Sequence, residues 1–189
     1  SIPTIDFLIN AGAKVILGSH LGRPKGIVNS DLSLKIVSER LSELMERPVV
    51  FCNDFKDKGW TNKFDKLPKG SVVLLENLRF FKEETDNDSE FSKLLASFAD
   101  IYVNDAFGTS HRAHASTFGM ATNFKSKLAG FLVDKELRFI SKMLEKVEKP
   151  FVVIIGGSKI KDKISAMSKL LDKADKIIIA GGAAYTFIK

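Results

Sequence analysis

A chain of 189 residues with 44% apolar and 28% charged residues has the composition of a globular protein with one large or two small domains, and none of its windows approaches the roughly 20 apolar residues of a membrane-spanning helix. The net charge of +6 favours an anionic partner. With no dense Lys/Arg run, no aromatic-interleaved basic stripe and no zinc-ligand spacing, nucleic acid is the weaker candidate, and neither nucleic acid nor a membrane is the expected partner. A single cysteine, Cys52, leaves no internal disulfide and suits a reducing, cytoplasmic compartment. The N-terminus, Ser1-Ile2-Pro3-Thr4, lacks the features of a signal peptide and an initiator Met, and reads as starting inside a longer chain.

Taken in order, the apolar runs are Val15-Ile16-Leu17, Val49-Val50-Phe51, Val72-Val73-Leu74-Leu75, Ile101-Tyr102-Val103, Phe151-Val152-Val153-Ile154-Ile155 and Ile177-Ile178-Ile179. They are continuous rather than alternating, as in strands covered on both faces. Helical stripes lie between them. Leu34, Val37, Leu41 and Leu44 form the first, and Phe91, Leu94, Leu95 and Phe98 the second. Val133, Leu137, Ile140, Leu144 and Val147 form the longest. This alternation predicts βαβ units and a parallel sheet. Residues 105–130 are expected to be long and mostly irregular, which in a compact domain marks a functional loop. A boundary is expected at Glu148-Lys149-Pro150, where proline blocks the long helix. That divides the chain into 1–131, a connecting helix over 132–149, and a strand–helix–strand segment over 150–189.

Three basic loops follow strand ends, where open α/β sheets bind ligands. In the first, His20 and Arg23 flank Gly22, which allows the backbone a close approach while Arg23 offers a planar fork to phosphate or carboxylate. Taken alone it is equally well a surface loop with an incidental arginine. In the second, Arg79 precedes the Phe80-Phe81 pair. By itself that arginine reads better as one snorkelling from packed aromatics. The third loop gathers Thr109, Ser110, His111, Arg112 and His114. No carboxylate or cysteine stands at ligand spacing there and the arginine would repel a cation, so anion binding is the better account than metal. Beyond Pro150, Gly156-Gly157-Ser158-Lys159 links a strand to a helix and exposes backbone N–H groups to phosphate. A second small-residue turn, Ala180-Gly181-Gly182, could let a flat ring lie against the backbone. Two ordinary βα turns explain these glycines as well.

Together these segments resemble the phosphoglycerate kinase family. The matching motifs are His20-Leu21-Gly22-Arg23-Pro24, Glu76-Asn77-Leu78-Arg79-Phe80, and Asn104-Asp105-Ala106-Phe107-Gly108-Thr109-x-His111-Arg112-x-His114-Ala115-Ser116. They continue with Gly156-Gly157-Ser158-Lys159-x-x-Asp162-Lys163 and Gly181-Gly182-x-Ala184-Tyr185-Thr186-Phe187. The resemblance implies an α/β fold with a Rossmann-like parallel sheet and helices on both faces, in a two-domain kinase architecture truncated at both ends. The activity it implies is reversible phosphoryl transfer between 1,3-bisphosphoglycerate and ADP, giving 3-phosphoglycerate and ATP with Mg²⁺, in a cytoplasmic and monomeric glycolytic enzyme.

Residue by residue, the resemblance has His20, Leu21, Gly22, Arg23, Arg79 and Arg112 hold the phosphoglycerate, with His111 and His114 completing the basic surface. Lys159 would follow the transferring phosphoryl group. Gly157, Ser158 and Lys163 would meet the nucleotide phosphates, and Gly181 and Gly182 would border the adenine. Three features of the family have no counterpart here. They are its opening Arg-x-Asp-x-Asn-x-Pro strand, the arginine that follows it, and the acidic residue that holds Mg²⁺. Lys161 and Ala180 also depart from the usual small residues. The expectation is a catalytically incomplete chain. The alternative is a non-catalytic anion-binding or assembly fragment that self-associates through an exposed sheet edge.

Overall fold

The computed structural model describes residues 1–145, 147–157 and 161–188, which form two compact units, Ser1–Glu136 and Leu137–Lys189. In the first unit, helix α1 (Ile2–Asn10) starts with Pro3 in its opening turn, where a missing N–H costs nothing. It leads to strand β1 (Val15–Leu17), helix α2 (Lys35–Met45) and strand β2 (Val49–Cys52). Helix α3 (Lys58–Lys66), strand β3 (Val72–Leu75), the one-turn helix α4 (Lys82–Thr85) and helix α5 (Ser89–Ala96) follow. Strands β4 (Tyr102–Asn104) and β5 (Lys127–Ala129) then form a parallel pair, and helix α6 (Phe131–Glu145) begins.

Strand β3 is the centre of a parallel sheet of order β1-β3-β2, with Val72 opposite both Val15 and Val49. All four of its residues are buried, which explains its uninterrupted apolar run. Alternate side chains feed two cores. Val72 packs with Ile5, Ile9 and Val15, bordered by Leu41 and Met45, so α1 and α2 cover one face. Val73 and Leu75 pack with Phe64, Phe91 and Leu95 from α3 and α5 on the other. Phe55 sits at the hub of that second core, 1% exposed, with ring centroids of Phe81, Phe91 and Phe98 at 5.0, 6.0 and 6.3 Å. The sheet is therefore parallel with helices on both faces, as expected from the sequence.

Two sequence expectations need correction. Helix α2 does not bury Val37 and Leu44, which are 38% and 53% exposed. It turns Ser38 inward instead, with the Ser38 Oγ donating to the Lys35 carbonyl at 2.7 Å, and the Ser42 Oγ accepts the Val49 N–H at 2.9 Å. Hydroxyls that satisfy themselves on the backbone can face a core that apolar counting assigns to leucine. The stretch 105–130 is also more ordered than expected: it contains β5 and short helical turns at Phe107–Thr109, Ala115–Gly119 and Met120–Asn123. β5 is three residues long and exposed throughout, so it carries no apolar signal.

In the second unit, strand β6 (Val152–Ile155), helix α7 (Lys161–Leu171), strand β7 (Lys176–Ile179) and helix α8 (Gly182–Ile188) form one strand–helix–strand unit with a further helix. The strands pair in parallel, Val152 opposite Lys176 through Ile155 opposite Ile179. Met167 and Ala183 are buried, while the paired Ile154 and Ile178 stay 70% and 49% exposed. Among the described residues, no helix is long and apolar enough to cross a membrane.

Candidate anion-binding site

The site is built on the ends of β1 and β3, neighbours in the sheet. Leu78 N–H donates to the Ser19 carbonyl at 3.1 Å, which ties the two loops together directly after the strands. Asn77, completely buried, then acts as a clamp. Its Nδ2 donates to the carbonyls of Leu21 at 2.9 Å and Leu32 at 2.8 Å, and its Oδ1 accepts the Arg79 N–H at 3.1 Å. The Glu76 carboxylate supports the same corner, accepting from Ser33 Oγ at 2.7 Å, Leu34 N–H at 2.9 Å and Asn77 N–H at 2.6 Å. Gly22 lies in the left-handed region at φ 64°, and a Cβ there would stand 2.9 Å from Leu32 Cδ2. Both backbone and space therefore require glycine.

Arg79 follows from this scaffold. Its Nη1 donates to the Gly22 carbonyl at 3.1 Å and its own carbonyl accepts the Gly26 N–H at 3.1 Å. Its Nε is buried and, among the described residues, is the one buried side-chain polar atom without a hydrogen-bond partner. A buried donor left unmet is costly. Arginine favours planar, charge-assisted pairing with oxyanions, and an oxyanion reaching that edge of the guanidinium would supply the missing acceptor.

The third basic loop is anchored by a carboxylate. Glu84, 4% exposed, accepts the Ser116 N–H at 2.9 Å and the Ser116 hydroxyl at 2.6 Å, and stands 3.7 Å from His114 Nδ1. Thr117 Oγ1 donates to the Arg112 carbonyl at 2.8 Å and accepts the His114 N–H at 3.3 Å, closing the loop on itself. Tyr102, at the start of β4, donates its hydroxyl to the Ser116 carbonyl at 3.0 Å. Burial and the Glu84 charge hold that phenol neutral, its pKa pushed up to about 12.

Electrostatically the three loops form one site. Burial lowers the His20 pKa, and the charges of Arg79, His114 and Arg112 lower it further. Burial likewise lowers the Arg79 pKa, with Arg112 and Arg23 acting in the same direction and Glu84 opposing them. His114 is lowered by burial and by Arg79, Arg112 and His111, against an opposing pull from Glu84. Neutral histidines among crowded guanidinium groups are the signature of a positive site awaiting a counter-charge. Such a site can hold and neutralise a small, strongly anionic molecule. Among the described residues no group of three or more His, Cys, Asp or Glu side chains could hold a metal ion.

The residues singled out from sequence fall into two places. His20, Leu21, Gly22, Arg23, Arg79, His111, Arg112 and His114 all belong to the first unit's three loops, Leu21 and Gly22 through carbonyls that receive Asn77 and Arg79. In the second unit, Gly157 and Gly181 adopt φ 119° and 63°, and a Cβ on Gly181 would stand 3.7 Å from Gly157 N, so the two glycine turns are neighbours. Gly182 opens α8. Ser158 and Lys159 lie outside the described residues, as does the side chain of Lys163. Sequence reasoning did not single out Asn77 or Glu84 for the site. The available signal was a polar residue immediately after a fully buried strand, and a glutamate one turn past the Phe80-Phe81 pair.

Comparison with known proteins bears directly on this arrangement. The family model for phosphoglycerate kinase matches residues 1–189. Phosphoglycerate kinases of Clostridium botulinum and Clostridium novyi (strain NT) are 50% and 52% identical over 191 aligned residues, covering 100% of this chain and 48% of each relative. The solved phosphoglycerate kinases of Coxiella burnetii and Pyrococcus horikoshii OT3 each give a TM-score of 0.84. Their identities are 41% and 33%, covering 99% and 98% of this chain and 46% and 47% of theirs. The chain thus spans about half the length of the curated relatives it matches. On its sequence, from first residue to last, it belongs to the phosphoglycerate kinase family.

Proposed function

We propose that this chain carries the phosphoglycerate site and the opening of the nucleotide site of a cytoplasmic phosphoglycerate kinase, which exchanges a phosphoryl group between 1,3-bisphosphoglycerate and ADP. The observation that carries this reading is that His20, Arg112 and His114 lie within electrostatic reach of Arg79 or of one another, and that the Arg79 Nε is buried with no protein acceptor. In this reading Arg23, Arg79 and Arg112 grip the phosphate and carboxylate of the substrate, with His20, His111 and His114 adding charge. Residues 1–131 form the phosphoglycerate domain, 132–149 the connecting helix and 150–189 the start of the nucleotide domain.

Phosphoryl transfer depends mainly on positioning and on neutralising spread negative charge. The basic side chains here do both. No general base is needed towards ADP, because the attacking oxygen is already anionic, so the histidines need not shuttle protons. Gly157, Ser158, Lys159 and Lys163 would meet the nucleotide phosphates, and Gly181 and Gly182 the adenine. Mg²⁺ would arrive with ADP or ATP and neutralise their phosphates. Among the described residues no group of three or more His, Cys, Asp or Glu side chains could hold it.

Amide NMR of this chain during titration with 3-phosphoglycerate tests the reading. Shifts confined to the loops of His20, Arg79 and Arg112, abolished by Arg23→Ala, are expected. A dispersed spectrum unmoved by millimolar ligand would sink it. A second reading, a self-associating fragment, draws on the exposed Ile154 and Ile178 pair of β6 and β7. Sedimentation showing a stable dimer, reduced to monomer by Ile154→Lys, would favour it.

A further inference from the structure

Glu84 is the one carboxylate among the groups that set the charge on Arg79 and His114, and it is almost completely buried. A buried carboxylate needs hydrogen bonds or a counter-ion. Glu84 has both donors of Ser116 on its two oxygens and the His114 imidazole beyond them. His114 immediately precedes the Ala115–Gly119 turn and Ser116 is its second residue, so the carboxylate meets the loop on either side of the turn's start. The imidazole presents Nδ1 to Glu84 at 3.7 Å, which leaves Nε2, across the ring, as the nitrogen available to an anion.

We propose that Glu84 is a positioning residue of the anion site, fixing the turn that carries His114 and facing Nδ1 of that imidazole, so that Nε2 is left to the bound anion and donates to it once the imidazole is protonated. This deepens the phosphoglycerate reading and takes its functional meaning from it. Facing His114 are Glu84 on α4, Arg79 in the turn after β3, Arg112 and His111 on its own loop, and His20 in the loop after β1. The basic groups among them oppose an imidazolium. Glu84 alone supports it. Without that carboxylate the His114 imidazole would protonate only at still lower pH, and nothing would direct Nδ1 away from the anion.

Glu84→Gln isolates the charge. The amide oxygen can still accept the Ser116 N–H, and the amide NH₂ can donate to the Ser116 hydroxyl, so the turn keeps its contacts. Histidine titrations by imidazole NMR, without ligand, give the readout. We expect the His114 midpoint to move to lower pH. The His20 midpoint should hold or rise, because His114 is among the charges that depress it. Mere loosening of the packing would relieve burial at both rings and raise both midpoints, which overturns the proposal, as does an unchanged His114 midpoint. Should Glu84→Gln not fold, the wild-type protein still decides. The Glu84 Cδ resonance must inflect at the His114 midpoint, and a flat Cδ trace through it overturns the assignment. Because neither titration contains ligand, failure of phosphoglycerate to bind would count against the proposed function without touching the Glu84–His114 coupling.

Discussion

Arg79 Nη1 donates to the carbonyl of Gly22 at 3.1 Å, joining residues 57 apart in the chain. The bond turns a long, free cation into a fixed one, with its remaining edge reserved for a ligand. Lysine in its place offers a point charge with no planar fork. Arg79→Lys should therefore weaken 3-phosphoglycerate binding by about tenfold or more, with little change in melting temperature. Calorimetric titration and a thermal melt, run together, check both halves.

Asn77 is expected to matter to stability more than its size suggests. Asn77→Ala leaves the carbonyls of Leu21 and Leu32 without the donor that the completely buried Asn77 side chain gives them. The cost should be about 2–4 kcal/mol, read as a lower urea midpoint with an unchanged slope. Asn77→Asp keeps the volume and loses both donations, and should be no better.

At Gly22 the backbone sits at φ 64° and Leu32 Cδ2 crowds the space a side chain would take. Gly22→Ala should cost about 1–3 kcal/mol and displace the carbonyl that holds Arg79. Binding should then fall along with stability. A variant as stable and as tight-binding as wild type would show that this loop adapts freely.

Acidification should destabilise the free protein in a defined window. His20 and His114 both have native pKa values below the ordinary histidine value, each chiefly through burial. Between the lowered native values and about 6.5, the unfolded chain binds more protons than the folded one. The stability they contribute is complete above about pH 6.5 and is lost as pH falls through the native values. Glu83, Glu148 and Asp175 have pKa values lowered from the carboxylate range by lysine partners and so act only at lower pH. Thermal melts from pH 7.5 down to about 5 should slope downward, and His20→Gln with His114→Gln should flatten them.

Turnover by this chain alone should be negligible. A transition-state arginine in phosphoryl transfer is worth about 10³-fold or more, and the arginine that the family carries after its opening strand has no counterpart in this sequence. A coupled assay with 3-phosphoglycerate and ATP should stay at background. Activity near that of a full-length kinase would contradict the reading of an incomplete chain.

The strands were legible because β1, β3 and their neighbours are continuous apolar runs, and the basic loops because glycine and arginine stand directly after them. The three-residue β5 was not, since exposed Lys127-Leu128-Ala129 looks like any loop. Helix α2 was rotated in the sequence reading because Ser38 and Ser42 hide their hydroxyls on the backbone. Within the site, the charged ligand-facing groups announced themselves by type. Asn77 and Glu84 did not, because their work is to hold other groups, and only three-dimensional neighbours reveal that.

The place of β3 between β1 and β2 also governs how the site comes into being. Strands β1 and β2 share no hydrogen bond with each other, and each pairs only once Val72–Leu75 is in place. These three strands therefore cannot pair one after another in chain order. The long-range closures come due together, which raises the entropic hurdle and slows folding. The strand that completes the sheet is followed within four residues by Arg79, so closing the sheet and setting this guanidinium beside the loop of Gly22 are one event.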